Sequence, residues 1–202
     1  MSRLGVLISG RGSNLQALLD AQAAGTLGGA IGVVISNEPG AAGLERARRE
    51  GVPAVVSDHR GRTRAAHEDE LVGILQGHGV SLVCLAGYMR LLTASVLERY
   101  AGRLLNVHPS LLPAFPGVEA QRQALEHGVK VTGATVHFVE RDLDAGPVVL
   151  QEAVCVEEAD DVESLSARIL AAEHRIFPRA VRLVLENRVR VEGRRVRFLE
   201  EA

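Results

Sequence analysis

Between residues 4 and 108 the chain alternates short apolar runs with stretches of helical periodicity, and few folds accept that pattern. Leu4-Gly5-Val6-Leu7-Ile8 is continuously apolar, as a strand buried on both faces must be. Ile31–Ser36, Val52–Ser57, Val80–Ala86 and Arg103–His108 repeat the signal. Between them, Leu15, Leu18, Leu19 and Ala23 mark one helix, and Ala42–Glu50 marks a second that Gly51 stops. Leu71, Ile74 and Leu75 mark a third after the polar stretch 58–64. Gly87 ends the fourth run, and a short helix over Thr93–Tyr100 follows. Strand–helix alternation of this kind implies parallel pairing through right-handed crossovers.

The second half reads differently. Val118–His127 is a predicted helix. Val131–Val139 and Val148–Val156 are two longer strands with no room for a crossover helix, so they pair antiparallel across the loop 140–147. Asp161–Asn187 is a long amphipathic helix that Pro178 must kink or interrupt. Arg188–Glu192 and Arg195–Leu199 flank a Gly193-Arg194 turn and read as a hairpin. The expectation is one α/β domain over residues 1–202, with a mostly parallel mixed sheet and helices on both faces. The 202-residue length suits a core of that size.

Composition closes off several functional classes. A net charge of −2 argues against a general binder of nucleic acid or anionic membrane. Arg188, Arg190, Arg194, Arg195 and Arg197 in the hairpin read as a solvated strand edge, because aromatic residues are nearly absent beside them. Cys84 and Cys155 lie in apolar segments without a CxxC pair, which points to thiols in a reducing compartment. No stretch approaches the roughly 18 apolar residues of a membrane span. The reading is a cytoplasmic protein.

Arg103–His108 carries the chemistry. Side chains alternate along a strand, so Leu105 and Val107 share one face and Leu104, Asn106 and His108 the other. Asn106 and His108 then sit roughly 6.5–7 Å apart, close enough to reach one small group. Pro109 ends the strand, and ligands bind at the carboxyl ends of strands in open α/β sheets. The alternative is a polar strand end that caps its loop. After the first strand, Ser9-Gly10-Arg11-Gly12-Ser13-Asn14 combines flexible glycines with a helix start, where free N–H groups favour an anion. Leu15 stands where a dinucleotide fingerprint needs its third glycine, and no nucleoside triphosphate loop exists. A monophosphate pocket or a plain turn remain.

The chain resembles the folate-dependent phosphoribosylglycinamide formyltransferase family. The resemblance runs through Ser9–Ala17, Ser36-Asn37, Gly43–Ala47, Leu85–Leu92, Asn106–Pro113, Gly133–Val139 and Asp142–Val148. The N-x-H-P-S-L-L-P run marks the broader formyltransferases. G-S-N-L-Q and the D-x-G-P loop narrow it. The resemblance implies the Rossmann-like formyltransferase fold and transfer of a formyl group from 10-formyltetrahydrofolate to the amine of phosphoribosylglycinamide. It implies Asn106, His108 and Asp144 as catalytic residues, with Asn106 and a protonated His108 holding the formyl oxygen. Asp144 would favour the imidazolium by opposite charge and order a proton-relay water.

Residue by residue, Gly12, Ser13, Asn14 and Glu173 match the segments that bind phosphoribosylglycinamide. Arg64, Met89, Arg90, Leu91, Leu92, Asn106, Glu140, Arg141, Asp142, Leu143 and Asp144 match the folate site. Nothing in the spacing separates Arg64 from Arg60 and Arg62. His137 reads equally as an outer-layer residue or a structural histidine, and Glu119 and Gln121 stand where some members carry histidines. His59, His67, His78, His127 and His174 lack metal-ligand spacing, so no metal is expected. Small-molecule substrates, no nucleic acid, no membrane and a monomer or homodimer complete the expectation. The rival formyltransferases that act on tRNA or hydrolyse the folate would need a further domain, and a non-catalytic folate or nucleotide binder would lack the His108 pair.

Overall fold

β1 (Arg3–Ile8) is an interior strand of a seven-stranded sheet, seen in a computed structural model that describes residues 2–199. On one side it pairs with β2 (Ala30–Ser36), which pairs with β3 (Ala54–Val56). On the other it pairs with β4 (Leu82–Leu85), and β4 with β5 (Leu104–His108). These five strands are parallel. β6 (Val131–Phe138) joins β5 antiparallel, and β7 (Val148–Cys155) joins β6 in the same sense. The order is therefore β3-β2-β1-β4-β5-β6-β7. The mixed sheet read from the sequence is present, with its direction change at the expected strands.

The apolar runs of the first half are buried because helices cover both faces. Leu4, Val6 and Ile8 pack on one face with α1 (Ser13–Ala23), α2 (Ala42–Arg49), α5 (Ala120–Glu126) and α6 (Val162–Leu185). Leu7, Val33, Ile35, Val83 and Leu85 pack on the other with α3 (Arg64–Gly77) and α4 (Ala94–Arg99). Leu105 and Val107 belong to the first layer and Leu104 to the second, the alternation expected for β5.

α6 runs unbroken through Pro178, where the sequence suggested a kink or an interruption. A proline inside a helix costs about 3 kcal/mol. Burying one large apolar side chain contributes about 1.5–3 kcal/mol, and this helix buries Leu165, Ile169, Ile176, Phe177 and Val181 together. Packing wins over local propensity. α5 starts at Ala120 rather than Val118, because Glu119 adopts a left-handed backbone with φ of 56°. The terminal hairpin of β8 (Val189–Glu192) and β9 (Arg195–Phe198) forms its own two-stranded sheet.

The chain reverses direction across the sheet at β1, with β2 to one side and β4 to the other. The segments leaving β1 and β4 therefore part and open a crevice at the strands' carboxyl ends, where such sheets take ligands. The Ser9 N–H donates to the Gly87 carbonyl at 3.1 Å and the Met89 N–H to the Ser9 hydroxyl at 2.9 Å, tying the two segments together. Among the described residues, no helix is long and apolar enough to cross a membrane.

Candidate active site

Asn106 projects from β5, and the antiparallel register places His137 of β6 directly across from it. The Asn106 carboxamide nitrogen lies 3.2 Å from His137 Nε2. The other ring nitrogen, Nδ1, lies 2.8 Å from the Phe138 carbonyl, an acceptor that fixes a proton on Nδ1. Nε2 is then free to accept from Asn106. Burial lowers the His137 pKa, against smaller opposing effects from the Phe138 carbonyl and Asp144, so the neutral ring is favoured.

Asp144 arrives from the loop between β6 and β7. Its carboxylate lies between two histidines, with Oδ2 3.4 Å from His108 Nδ1 and Oδ1 3.7 Å from His137 Nε2. The Gly117 N–H donates to Oδ2 at 2.8 Å. Asp144 holds a left-handed backbone with φ of 51°, an uncommon state that the surrounding contacts enforce. Gly146 makes this return possible. A Cβ there would lie 1.9 Å from the Phe138 carbonyl oxygen, so no side chain fits. The sequence expectation that a distant carboxylate meets the His108 ring is realised in the geometry.

His108 is 4% exposed. Its Nε2 lies 2.9 Å from the Phe115 carbonyl while Nδ1 faces Asp144. A neutral imidazole can donate to one of these acceptors only, whereas an imidazolium donates to both. Phe115 and Gly117 come from the loop after the N-x-H-P run, which wraps back to supply one main-chain acceptor and one donor. Sequence reasoning missed both, since main-chain groups carry no residue signature. It also left the role of His137 open, although antiparallel pairing of β5 with β6 could have exposed the cross-strand partner.

A cavity of about 260 Å³ opens beside this network. Asn106, His137 and Asp144 line its floor. Leu85, Leu92, Leu97 and Val139 give it apolar walls, with Tyr88, Arg64 and Arg90 adding polar groups, and Leu91, Glu140, Arg141, Asp142 and Leu143 close the rest. Two of the expected residues stand apart from it. His108 sits behind the lining, and Met89 is 71% exposed, with its backbone N–H tied to the crevice. Among the three neighbouring arginines, only Arg64 lines the cavity. Arg60 is held by Asp58, with Nη2 2.9 Å from Oδ2, and Arg62 by Glu70 at 2.5 Å.

The glycine loop forms a second station. Gly12 has φ of 71°, and a Cβ there would meet Gly43 Cα at 2.6 Å, so the loop lies flush against the start of α2. Ser13 opens α1, and the Asn14 amide donates to Glu173 Oε2 at 2.7 Å, joining α1 to α6. Glu173 is 6% exposed, and burial pushes its carboxyl up to about 7, with the Asn14 bond opposing. Asn14 Oδ1 is buried without a partner. A helix start, small residues, a buried carboxyl and one unpartnered amide oxygen suit a phosphorylated, hydroxyl- or amine-bearing ligand.

Comparison with known proteins places this geometry. Residues 2–181 match the family model described as formyl transferase. The phosphoribosylglycinamide formyltransferase of Escherichia coli is 42% identical over 92% of this chain and 88% of its own. The human trifunctional purine biosynthetic protein adenosine-3 is 47% identical over 94% of this chain, which spans 19% of that much longer relative. A crystal structure of glycinamide ribonucleotide transformylase 1 from Symbiobacterium toebii superposes with a TM-score of 0.97 at 58% identity, covering 99% of this chain and 95% of the other. Sequence identity and structural superposition agree: the chain belongs to the formyltransferase family and, within it, to the phosphoribosylglycinamide formyltransferases.

Proposed function

We propose that this chain, acting as one domain over residues 1–202, moves the formyl group of 10-formyltetrahydrofolate to the amine of 5-phosphoribosylglycinamide. The products are formylglycinamide ribonucleotide and tetrahydrofolate, a step of purine synthesis carried out in the cytoplasm by a monomer or homodimer. The observation that carries this reading is the convergence of Asn106, His137 and Asp144 on the floor of one cavity. Apolar walls beside Arg64 and Arg90 fit a flat ring system that carries carboxylates. The Asn14–Glu173 station, with the Gly12 and Ser13 backbone, takes the phosphorylated amine.

Attack by an amine on a formyl carbon builds negative charge on the formyl oxygen. The Asn106 carboxamide presents an N–H toward it, and one such preorganised donor is typically worth about 3–4 kcal/mol. His137 accepts the other amide proton and stops the carboxamide from swivelling, which makes it a positioning residue. The attacking nitrogen loses a proton and the folate nitrogen gains one. Asp144 carries that proton through an ordered water, and such positioned acid–base help is worth about 10²–10⁴-fold. His108 contributes its charge from behind Asp144, held between that carboxylate and the Phe115 carbonyl. The expected direct contact of His108 with the formyl oxygen requires Nε2 to leave Phe115.

Incubation of the protein with 10-formyltetrahydrofolate, with and without the amine, tests the reading. Tetrahydrofolate release that needs the amine is expected. Release at the same rate without it would replace transfer by hydrolysis.

A further inference from the structure

Glu68 is a buried carboxylate outside the site described above, at 3% exposure, and its chemistry is unspent by the mechanism. It projects from α3 one turn after Arg64, which lines the cavity. Its Oε1 accepts the Thr93 N–H at 3.0 Å, and its Oε2 accepts the Thr93 hydroxyl. Thr93 stands at the start of α4, where a threonine hydroxyl usually caps its own helix. Here it makes no such bond and turns to Glu68 instead.

The position of Thr93 gives this clasp its meaning. The segment 86–93 between β4 and α4 has no helix or strand to hold it, and Leu91 is 60% exposed. Its first half is pinned by the bond from the Met89 N–H to Ser9. Its last residue is pinned by Glu68. Arg90, Leu91 and Leu92, all cavity-lining, lie between those two anchors, and Tyr88, also cavity-lining, immediately precedes the first. Burial raises the Tyr88 phenol to about 12, with Arg90 opposing and Glu68 adding a smaller push in the same direction as burial.

We propose that Glu68 is a positioning residue for the cavity: by binding both polar groups of Thr93 it fixes the 88–92 wall and locks it to the helix that carries Arg64. The inference rests on the cavity being the folate site. Two hydrogen bonds to one carboxylate form the clasp, and bonds to charged groups are roughly twice as strong as neutral ones. Their loss lets the wall move without touching Asn106, Asp144 or the Asn14–Glu173 station.

The test compares steady-state kinetics of the wild type, Glu68→Ala, Thr93→Ala and Thr93→Ser. Expected is a rise of about tenfold or more in the KM for 10-formyltetrahydrofolate in Glu68→Ala, with a KM for the amine and a saturated kcat each within about threefold. Thr93→Ala shows a smaller rise because its N–H remains, and Thr93→Ser, which keeps both donors, restores the wild-type value. Thermal melting verifies that each variant is folded. Should Glu68→Ala not fold, the Thr93 pair decides alone. An unchanged folate KM in Thr93→Ala and Glu68→Ala, or an equal rise in the KM for both substrates, overturns the positioning role. A wild type that neither binds nor uses the folate instead overturns the reading of the cavity, which distinguishes the two failures.

Discussion

Replacing Glu173 by Gln should stabilise the free protein at alkaline pH while impairing it as an enzyme. The carboxyl is buried, its folded-state value stands at about 7 against an ordinary 4.5, and its one bond comes from Asn14. A carboxyl raised in this way binds its proton more tightly in the folded state. The associated stability is fully present below pH 4.5, falls as pH rises through 7 and is lost above it. A tenfold gain in proton affinity corresponds to about 1.4 kcal/mol, so ionising Glu173 costs the folded state about 3 kcal/mol at pH 8. Gln keeps an oxygen to accept the Asn14 amide and brings an N–H₂ group to a site where Asn14 Oδ1 has no partner. For a chain of this size 1 kcal/mol moves the melting temperature by roughly 2–4 °C, so Glu173→Gln should melt about 6–12 °C above wild type at pH 8. At pH 4.5 that gap should shrink to the few degrees contributed by the new bond. Melting scans across pH 4.5–8.5 at fixed ionic strength measure it. An equal gap at both ends, or a variant less stable at pH 8, would show that no buried Glu173 carboxyl is being forced to ionise. The same variant should raise the KM for the amine, because an ionised Glu173 is what a cationic or hydroxyl-rich ligand recovers on binding.

Gly146→Ala forces the Asp144 loop away from β6, since its Cβ would lie 1.9 Å from the Phe138 carbonyl. A displacement of about 1 Å at a reacting group costs about a hundredfold, so kcat should fall at least that far, and a kcat within tenfold would show that the loop tolerates the shift. His137→Phe keeps a planar ring, slightly larger than imidazole, but removes the acceptor that orients Asn106. A lost hydrogen bond of about 1–3 kcal/mol predicts kcat lower by roughly 5–150-fold with an unchanged folate KM, and a normal kcat would assign Asn106 another support.

Much of the architecture was legible because burial on both faces leaves an unmistakable apolar signature in β1, β2 and β4. The antiparallel half was legible from loop length alone, since residues 139–147 leave no space for a crossover. Pro178 does not interrupt α6, because the buried face of the helix outweighs the local propensity of one proline. At the site, Asn106 and His108 were readable from two-residue spacing. Asp144 was reachable only through family resemblance, because nothing local says which strand its loop returns beside. The Phe115 carbonyl, the Gly117 N–H and the pairing of His137 with Asn106 depend on register and loop wrapping, which one-dimensional spacing does not encode. Arg64 could be separated from Arg60 and Arg62 only once Asp58 and Glu70 were seen to occupy the other two.

Asp144→Asn is the sharpest probe of the proton relay, because it keeps the side chain's shape and removes its charge and basicity. The measurement is amine-dependent release of tetrahydrofolate under saturating substrates, alongside the dissociation constant for the folate. Turnover should fall by about 10²–10⁴-fold while folate binding stays within about threefold of wild type. Turnover near the wild-type rate would contradict the relay, and the carboxylate between the two histidines would then be structural.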